Sequence, residues 1–285
     1  MEKPHKIDDL IENVQDLPTL PTVVSKINSM TSNPQTNASD IGKVISNDPS
    51  LSSKILKLVN SAYYGFPRKI NSVTKAIVLL GFNKVKNIAV SASVVDVFKR
   101  TSGKIHFDFL QFWEHSVGTA IAAEVVSKHL CPEVIDDAFV GGLLHDVGKV
   151  VMANHIKPAA AVFANAPTAK KTFNELCTET IGYDQNHVGA LLTEHWNFPD
   201  VLCQTIRHWN TPEKARTQRE VVFCVHLGNV IVSALGVAAP GDFAMPQVSR
   251  DVWDELKLDE AKLEPIMNET LTGFDNASAF LELAK

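Results

Sequence analysis

Apolar residues recur every three or four positions along most of this chain, and this period restricts the fold more than any other feature. It places apolar side chains on one helical face in residues 20–30, again in residues 51–62, and again in residues 72–95. Alternation with a period of two is scarce, and no Asn-Gly or Asp-Gly hairpin turn occurs. The sequence therefore predicts an all-α protein built of many short helices.

Helix ends are also visible in the sequence. Asp48 is suited to an N-cap and Pro49 to the first turn of the helix that follows. Ser72 precedes another apolar periodic segment, which breaks at Gly81. These residues predict helices that begin at about 49 and 73 and a helix end at 81.

Composition excludes several classes of protein. The 285 residues are 45% apolar and 21% charged, as in an ordinary globular chain, so a disordered, collagen-like or disulfide-stapled protein is excluded. The four cysteines form no Cys-x-x-Cys pair, which gives no sign of a zinc knuckle or a redox couple. The first residues contain no apolar export segment, so we expect a protein of the reducing cytoplasm.

One uncharged segment resembles a membrane span in length. Residues 221–239 contain no formal charge over 19 positions, close to the roughly 20 that a bilayer requires. The segment contains His226 and Asn229, which a buried helix can supply with hydrogen-bond partners. We therefore expect a core helix in which His226 is hydrogen-bonded, and no contact with a membrane.

Charge is distributed unevenly along the chain. Residues 54–104 contain ten Lys and Arg against the single acid Asp96, whereas residues 241–285 contain four against ten Asp and Glu. Because the basic block lacks the interleaved aromatic residues of a single-strand binder, we expect it to face the acidic segment or a partner rather than nucleic acid. Nucleic-acid binding is the weaker alternative, and a steep salt dependence would be its mark.

Two changes in composition divide the chain. A small-residue break at residues 101–104 follows the basic block, and Pro240 with Gly241 follows the apolar segment. The sequence thus predicts an N-terminal part (1–104), a central part (105–240) and an acidic helical C-terminal segment (241–285).

Four histidines and one aspartate stand in an order that suggests a metal site. They are His115, the adjacent pair His145 and Asp146, His187 and His208. Metal sites in helical proteins are assembled from facing helices, and imidazole with carboxylate suits Fe, Mn, Ni or Zn better than Ca or Mg. Neighbouring residues of a helix point about 100° apart, so the His-Asp pair reaches one ion only near a helix end or an irregular turn.

Gly148 and Lys149 extend this pattern. Gly148 favours an irregular turn just after the His-Asp pair, and Lys149 would project beside that pair on a helix. A lysine next to a metal is well placed to hold a phosphate oxygen. A lone His-Asp dipeptide is more often structural than catalytic, so spacing alone leaves both roles open.

Ordered motifs carry a family resemblance. Residues 141–149 resemble the central motif of the HD superfamily of metal-dependent phosphohydrolases, and His115 matches its first histidine. Further segments resemble those of the HDOD family, the HD-related output domains of bacterial signal transduction. These segments are residues 17–21, 45–51, 58–65, 76–81, 187–192 and 196–199.

The resemblance implies both a fold and a ligand set. The expected fold is an all-α, multi-helix HD-like domain preceded by a helical N-terminal subdomain. His115, His145 and Asp146 correspond to metal ligands, and His187 and His208 correspond to residues that hold a second ion in the related HD-GYP phosphodiesterases. We expect these five residues to converge in one cleft.

Three positions depart from the family pattern. Lys149 matches the lysine of the HD-GYP motif, but Trp209 stands where a histidine ligand is expected and the Gly-Tyr-Pro signature is missing. Asn229 falls at the closing aspartate, and Gln111 falls at an acidic ligand found in some members. We therefore expect one divalent transition metal (Fe, Mn, Ni or Zn), with a second ion bound weakly at best.

The resemblance implies two functions. The first is a regulatory module of bacterial signal transduction whose partners are signalling proteins. The alternative is a metal-dependent phosphohydrolase acting on a phosphoester or nucleotide, in which Asp146 and Lys149 take part in catalysis.

Overall fold

The computed structural model describes residues 18–31, 35–101, 108–237, 242 and 244–285, and the regular structure of this part of the chain is helical throughout. The predicted all-α class is confirmed. In chain order the α-helices are α1 (Thr22–Thr31), α2 (Ala38–Ser46), α3 (Pro49–Val59), α4 (Val73–Leu80), α5 (Phe82–Thr101), α6 (Phe109–Leu130), α7 (Ile135–Leu144), α8 (Val147–His155), α9 (Ala159–Asn165), α10 (Phe173–Ile181), α11 (Gln185–His195), α12 (Asp200–His208), α13 (Arg219–Ala234), α14 (Arg250–Glu255), α15 (Glu260–Asp275) and α16 (Ser278–Leu281).

Local sequence sets the helix ends in the N-terminal part. The Asp48 carboxylate accepts a backbone N–H of the first turn of α3 at 3.0 Å, and Pro49 is the first helical residue. Ser72 caps α4 in the same way at 3.2 Å. Helix α4 ends before Gly81, whose φ of +84° is a conformation that favours glycine. The predicted starts and break are confirmed.

Helix α6 lies at the centre of the fold, and α7, α13 and α15 pack against it. Two of these contacts have glycine at the crossing. A Cβ on Gly142 of α7 would lie 2.7 Å from the Thr119 carbonyl oxygen, and one on Gly228 of α13 would lie 2.8 Å from the Ala123 nitrogen. The helices therefore approach one another at backbone distance. Because α6 carries His115 and α7 leads into the His-Asp pair, this packing fixes how close those side chains come.

Helix α5 joins the N-terminal helices to the rest of the protein. It packs against α1, α3 and α4 of the N-terminal part and against α7 and α8 of the central part. One continuous apolar core includes residues from α1 through to the C-terminal helices. The predicted boundaries at residues 104 and 240 fall outside the described residues, and the core extends across both, so the domain division stays a prediction.

Two tryptophans hold the ends of the described chain against the centre. The Trp196 indole N–H donates to the Pro18 carbonyl at 2.6 Å. The Trp113 indole N–H, which is buried in α6, donates to the Phe280 carbonyl of α16 at 2.8 Å. Both the N-terminal segment and the last helices are thereby attached to the helices that carry the histidines.

Helix α13 begins at Arg219 and includes residues 221–234 of the uncharged segment, and its residues from Val221 to Val232 are buried. The last positions of that segment, 238 and 239, lie outside the described residues. Among the helices that the structure describes, none is both long enough and apolar enough to cross a bilayer. The expected core helix is therefore found.

The basic block 54–104 contacts acidic residues of the C-terminal segment and of the central part of the chain. Lys57 pairs with Glu282 of the C-terminal segment at 2.7 Å, whereas Lys84 pairs with Glu124 of α6. Each exposed pair of this kind contributes roughly 0–1 kcal/mol. That the block does not bind nucleic acid stays a prediction.

Candidate metal centre

His145 and Asp146 occupy the two-residue junction between α7, which ends at Leu144, and α8, which begins at Val147. The helical geometry is interrupted there, so these adjacent side chains can turn to the same side. His145 Nε2 lies 3.4 Å from Asp146 Oδ2. The irregular turn expected from the sequence is present at the pair itself.

His115 of α6 completes a group with this pair. His115, His145 and Asp146 each offer one ligand atom, and these atoms all lie within 4.8 Å of one another. All three side chains are buried. Two imidazoles and one carboxylate form a donor set that suits a divalent transition metal.

The hydrogen bonds of His145 leave the lone pair of its Nε2 unprotonated and close to the Asp146 carboxylate. The His145 Nδ1–H donates to the Gly142 carbonyl at 2.7 Å, so the lone pair of the neutral ring lies on Nε2. His145 Nε2 has no hydrogen-bond partner, although the Asp146 carboxylate is close. Two acceptors at this distance repel each other, and a cation bound by both of them would remove that repulsion. A backbone carbonyl that fixes the tautomer is a common feature of histidine ligands.

The protonation states of the three residues in the metal-free protein are those that a metal requires of its ligands. Burial and the neighbouring His145 lower the pKa of His115 to about 4, and burial lowers the pKa of His145. Burial alone would raise the pKa of Asp146, but His145 and the Lys149 ammonium outweigh it and lower that pKa. Both rings are therefore neutral and the carboxyl is ionised near pH 7, which is the state that metal binding requires.

The buried Lys149 ammonium forms two ion pairs. Its Nζ donates to Asp146 Oδ2 at 2.7 Å and to Asp242 Oδ2 at 2.7 Å, and the side chain is 1% exposed. The ammonium also lies over the Phe173 ring, 5.2 Å from its centroid. Burial alone would lower the pKa of Lys149, but the two carboxylates raise it, so the ammonium is retained. Both anions must leave or share this cation before a phosphate oxygen can bind it.

Sequence reasoning missed two residues of the site. Gln185 donates through Nε2 to Asp146 Oδ1 at 3.0 Å, and it lies at the start of α11. Asp242 contacts Lys149 across 93 positions of sequence. Neither residue stands in a motif. For Asp242 the one available indication was the acidic character of the C-terminal segment.

The departures from the family pattern lie at the site. Asn229 Oδ1 lies 2.9 Å from His115 Nε2, so the position expected for a closing aspartate holds a neutral amide instead. The Trp209 indole N–H donates to the His145 carbonyl at 2.8 Å, and its ring meets the His145 ring edge-on with centroids 4.7 Å apart. Trp209 therefore packs and positions His145 and offers no ligand atom.

The structure brings together three of the five predicted ligands. His187 is exposed, and its Nδ1 lies 2.7 Å from Asp184, which also caps α11. His208 lies half-buried in the last turn of α12 and does not belong to the group either. The reason is local, since the side chains that contact the His-Asp pair from α11 and the end of α12 are Gln185 and Trp209. The expected convergence of all five residues is therefore not found, and metal ligation by His187 or His208 stays a prediction.

A cavity of about 520 Å³ opens beside the group. This volume is within the range of small-molecule sites. Its described lining includes Glu114, His115, Asn174, Trp209, Asn229 and Asp242. No Lys or Arg is among the described residues that line it, so the charged groups on the cavity wall are acidic.

These features define the class of protein. An all-helical chain with a buried group of one histidine and a His-Asp pair is the arrangement expected of the HD superfamily. The chain belongs to the HDOD family, because the family model described as HDOD domain matches residues 17–212.

Two curated relatives are similar in sequence, and both are described as uncharacterized. An uncharacterized protein of Treponema pallidum (strain Nichols) is 27% identical over 235 residues, which cover 81% of this chain and 45% of the relative. The uncharacterized protein YuxH of Bacillus subtilis (strain 168) is 36% identical over 72 residues, or 25% of this chain and 18% of the relative. This chain spans less than half the length of these curated relatives.

Solved structures share the fold. An HDOD domain protein of unknown function from Geobacter sulfurreducens aligns with a TM-score of 0.75 at 24% identity, over 97% of this chain and 91% of that one. A protein from Shewanella amazonensis SB2B, provisionally described as a phosphohydrolase, aligns with a TM-score of 0.76 at 22% identity, over 97% and 98%. At these identities the likeness establishes the fold alone.

His226 lies behind the site and joins three helices. Its Nδ1–H donates to the Trp209 carbonyl at 2.9 Å, and its Nε2 accepts the Ser249 N–H at 2.9 Å. This is the hydrogen-bonded core histidine expected from the sequence. Replacing His226 by leucine should lower the free energy of unfolding by about 2–4 kcal/mol, because two backbone groups lose their partners. Urea unfolding at pH 7 measures this loss, and the exposed His195→Leu is the control that should change little.

The same residue predicts a pH dependence. Burial lowers the pKa of His226, although the Trp209 carbonyl and Glu213 oppose the shift. The unfolded chain therefore binds a proton below about pH 6.5 that the folded chain resists, and His226 destabilises the fold as the pH falls. We expect the stability gap between wild type and His226→Leu to narrow between pH 7 and pH 5. A gap that stays constant would contradict this account.

Proposed function

We propose that the chain is a regulatory module of bacterial signal transduction whose His115, His145 and Asp146 hold one divalent transition metal. The observation that carries the metal assignment is the pair of unprotonated acceptors, His145 Nε2 and Asp146 Oδ2, at 3.4 Å in a buried site. Asn229 Oδ1 lies next to His115 and would be a neutral oxygen ligand for the ion. When bound, such an ion is a Lewis acid that lowers the pKa of a coordinated water.

Charge balance supports one cation. The rings of His115 and His145 are neutral near pH 7, whereas the cluster of buried Asp146, buried Lys149 and partly exposed Asp242 sets two carboxylates against one ammonium. A net negative charge that is partly shielded from water is costly, and a cation bound beside it offsets that cost. A second ion would find neutral Asn229 where a carboxylate is expected and Trp209 where an imidazole is expected.

The regulatory role is favoured over catalysis by the condition of Lys149. Phosphoryl transfer requires cationic groups directed at the phosphoryl oxygens. Here the ammonium is 1% exposed and held by two carboxylates, and the described cavity lining contains acidic groups and no Lys or Arg. The resting site therefore has no cation facing the cavity for a phosphoester.

A metal-dependent phosphohydrolase is the second candidate. The cavity of about 520 Å³ reaches His115 and favours this function, because it has the size of a small-molecule site. In this case Asp146 would hold the metal and Lys149 would neutralise phosphoryl oxygens after release from Asp242. A phosphoester or nucleotide is the substrate class.

Turnover assays on metal-loaded protein distinguish the two candidates. Elemental analysis of the purified protein should give one transition metal per chain. Bis-p-nitrophenyl phosphate and cyclic dinucleotides should then be hydrolysed no faster by the wild type than by His145→Ala. Turnover that requires His145 would contradict the regulatory role and establish the enzyme. A regulatory role predicts that loading the metal changes the affinity of the chain for a signalling protein, while neither phosphoester is hydrolysed.

A further inference from the structure

Asp242 occupies a two-point anion site. Its Oδ2 accepts from Lys149 Nζ at 2.7 Å, and its Oδ1 accepts the backbone N–H of Phe173 at 2.8 Å. Phe173 is the first residue of α10, which is nine residues long. A buried ammonium and a helix N-terminal N–H are the groups with which proteins hold carboxylates and phosphates.

The neighbouring residues leave this site open to a ligand. Thr172 and Glu175 form a capping box on α10 and satisfy each other's backbone N–H, so the Phe173 N–H is available to an outside anion. Asn174 of the same turn lines the cavity, is 9% exposed and has no hydrogen-bond partner for its side-chain oxygen. A ligand that carries a hydroxyl or N–H beside its anionic group would satisfy that oxygen.

Exposure shows which member of the ion pair can leave. The Asp242 side chain is 27% exposed, whereas Lys149 is 1% exposed. Asp242 can move into water without stranding a buried charge of its own, but Lys149 cannot. Departure of this carboxylate would replace an anion on the cavity wall by the Lys149 ammonium, and the wall would then attract an anion.

We propose that Asp242 is an internal competitor for a phosphoryl ligand, which enters the cavity and takes its place on Lys149 and the Phe173 N–H. A phosphoryl dianion is attracted to the Lys149 ammonium more strongly than a singly charged carboxylate is. A free carboxylate offers no such gain and competes against a tethered group whose effective concentration is at least about millimolar. The inference rests on the proposed function, in that it names the ligand class of the regulatory cavity, but it requires no metal.

Phosphate binding by metal-free protein tests this proposal. The full chain, dialysed against a chelator, is titrated by calorimetry with inorganic phosphate at pH 7.5. Asp242→Ala and Asp242→Asn should each bind phosphate at least about tenfold more tightly than the wild type, because the tethered competitor is gone. Acetate should not bind measurably to the wild type, because it would have to displace a tethered carboxylate of the same charge. The matched control is Asp254→Asn, which removes one exposed acid of α14 and should change phosphate affinity by less than about twofold.

A double variant assigns the gain to Lys149. Adding Lys149→Met to Asp242→Ala should abolish the tighter binding, and circular dichroism verifies that each variant is folded. If Asp242→Ala does not fold, the phosphate-dependent rise in melting temperature of Asp242→Asn relative to wild type decides the matter. Equal phosphate affinity in wild type and folded Asp242 variants would overturn the proposal, as would a gain that survives loss of Lys149. Metal titration of Asp242→Ala separates this failure from failure of the metal site, because Asp242 is not in the ligand group.

Discussion

Replacing Asp146 by asparagine should reduce the affinity of the metal-free protein for a divalent transition metal by about 100-fold or more. Asp146 is the one carboxylate in the group with His115 and His145, so the change removes the anionic ligand and nearly preserves its shape. Its contact with Gln185 can be kept through the amide oxygen, whereas the amide NH2 then faces the Lys149 ammonium and that ion pair is lost. Lost metal affinity in folded protein therefore reports the charge and not the packing.

The measurement is a calorimetric titration with Mn(II), Fe(II), Ni(II) and Zn(II), in which wild type should bind one ion per chain. The matched control is Asp184→Asn, because asparagine also caps helices well and Asp184 holds His187 outside the group. It should leave metal affinity unchanged. A stoichiometry near two, or loss of binding in His187→Ala, would contradict the single three-residue site and restore the binuclear expectation.

Replacing Gly148 by alanine should lower the free energy of unfolding by more than about 4 kcal/mol or prevent folding. A Cβ at Gly148 would lie 1.9 Å from the Gln185 backbone oxygen, so α8 and α11 would have to separate. Backbone cannot yield as a flexible side chain does, and overpacking at such a contact is costly. The separation would also withdraw Gln185 from Asp146, so surviving protein should bind metal more weakly.

Urea unfolding followed by circular dichroism measures this effect. Gly118→Ala in α6 is the matched control, since a Cβ there would meet the side chain of Val232 of α13 at 3.2 Å. Side chains can adjust and alanine favours the helix, so we expect a change within about 1 kcal/mol. Similar stability for Gly148→Ala and Gly118→Ala would show that α8 and α11 are not held at backbone distance.

Local signals explain why the helical framework could be predicted. Asp48 with Pro49, and Ser72 with Gly81, act on the turns next to them, and each was found in its expected role. The apolar period can likewise be recognised within the sequence of a single helix. The boundaries at 104 and 240 could not be inferred with the same reliability, because composition records charge and flexibility, whereas the apolar core runs across both positions.

The site was only partly predictable, for a physical reason. His115, His145 and Asp146 stand in motifs and come together as expected. Gln185 and Asp242 act through single long-range polar contacts, which leave no periodic or compositional trace in the chain.

The same limit applies to residues that were expected in the group and lie outside it. His187 matched the family pattern, yet the neighbouring Asp184 holds its ring at the protein surface. A match of residue type does not specify which side chain of a helix turn contacts the pair, and here Gln185, two residues earlier, does so.

The edge-on contact between Trp209 and His145 makes the chain its own optical reporter. The indole lies one ring away from a predicted ligand, with centroids 4.7 Å apart. An open-shell ion such as Mn(II) or Ni(II) on His145 would quench the fluorescence of Trp209 at this distance, whereas closed-shell Zn(II) lacks the unpaired electrons to do so. Trp113 and Trp196 are buried like Trp209 and emit at similar wavelength, so the part of the quenching that is lost in Trp209→Phe is the signal of this centre. Occupancy of the centre can therefore be followed in dilute solution without a label.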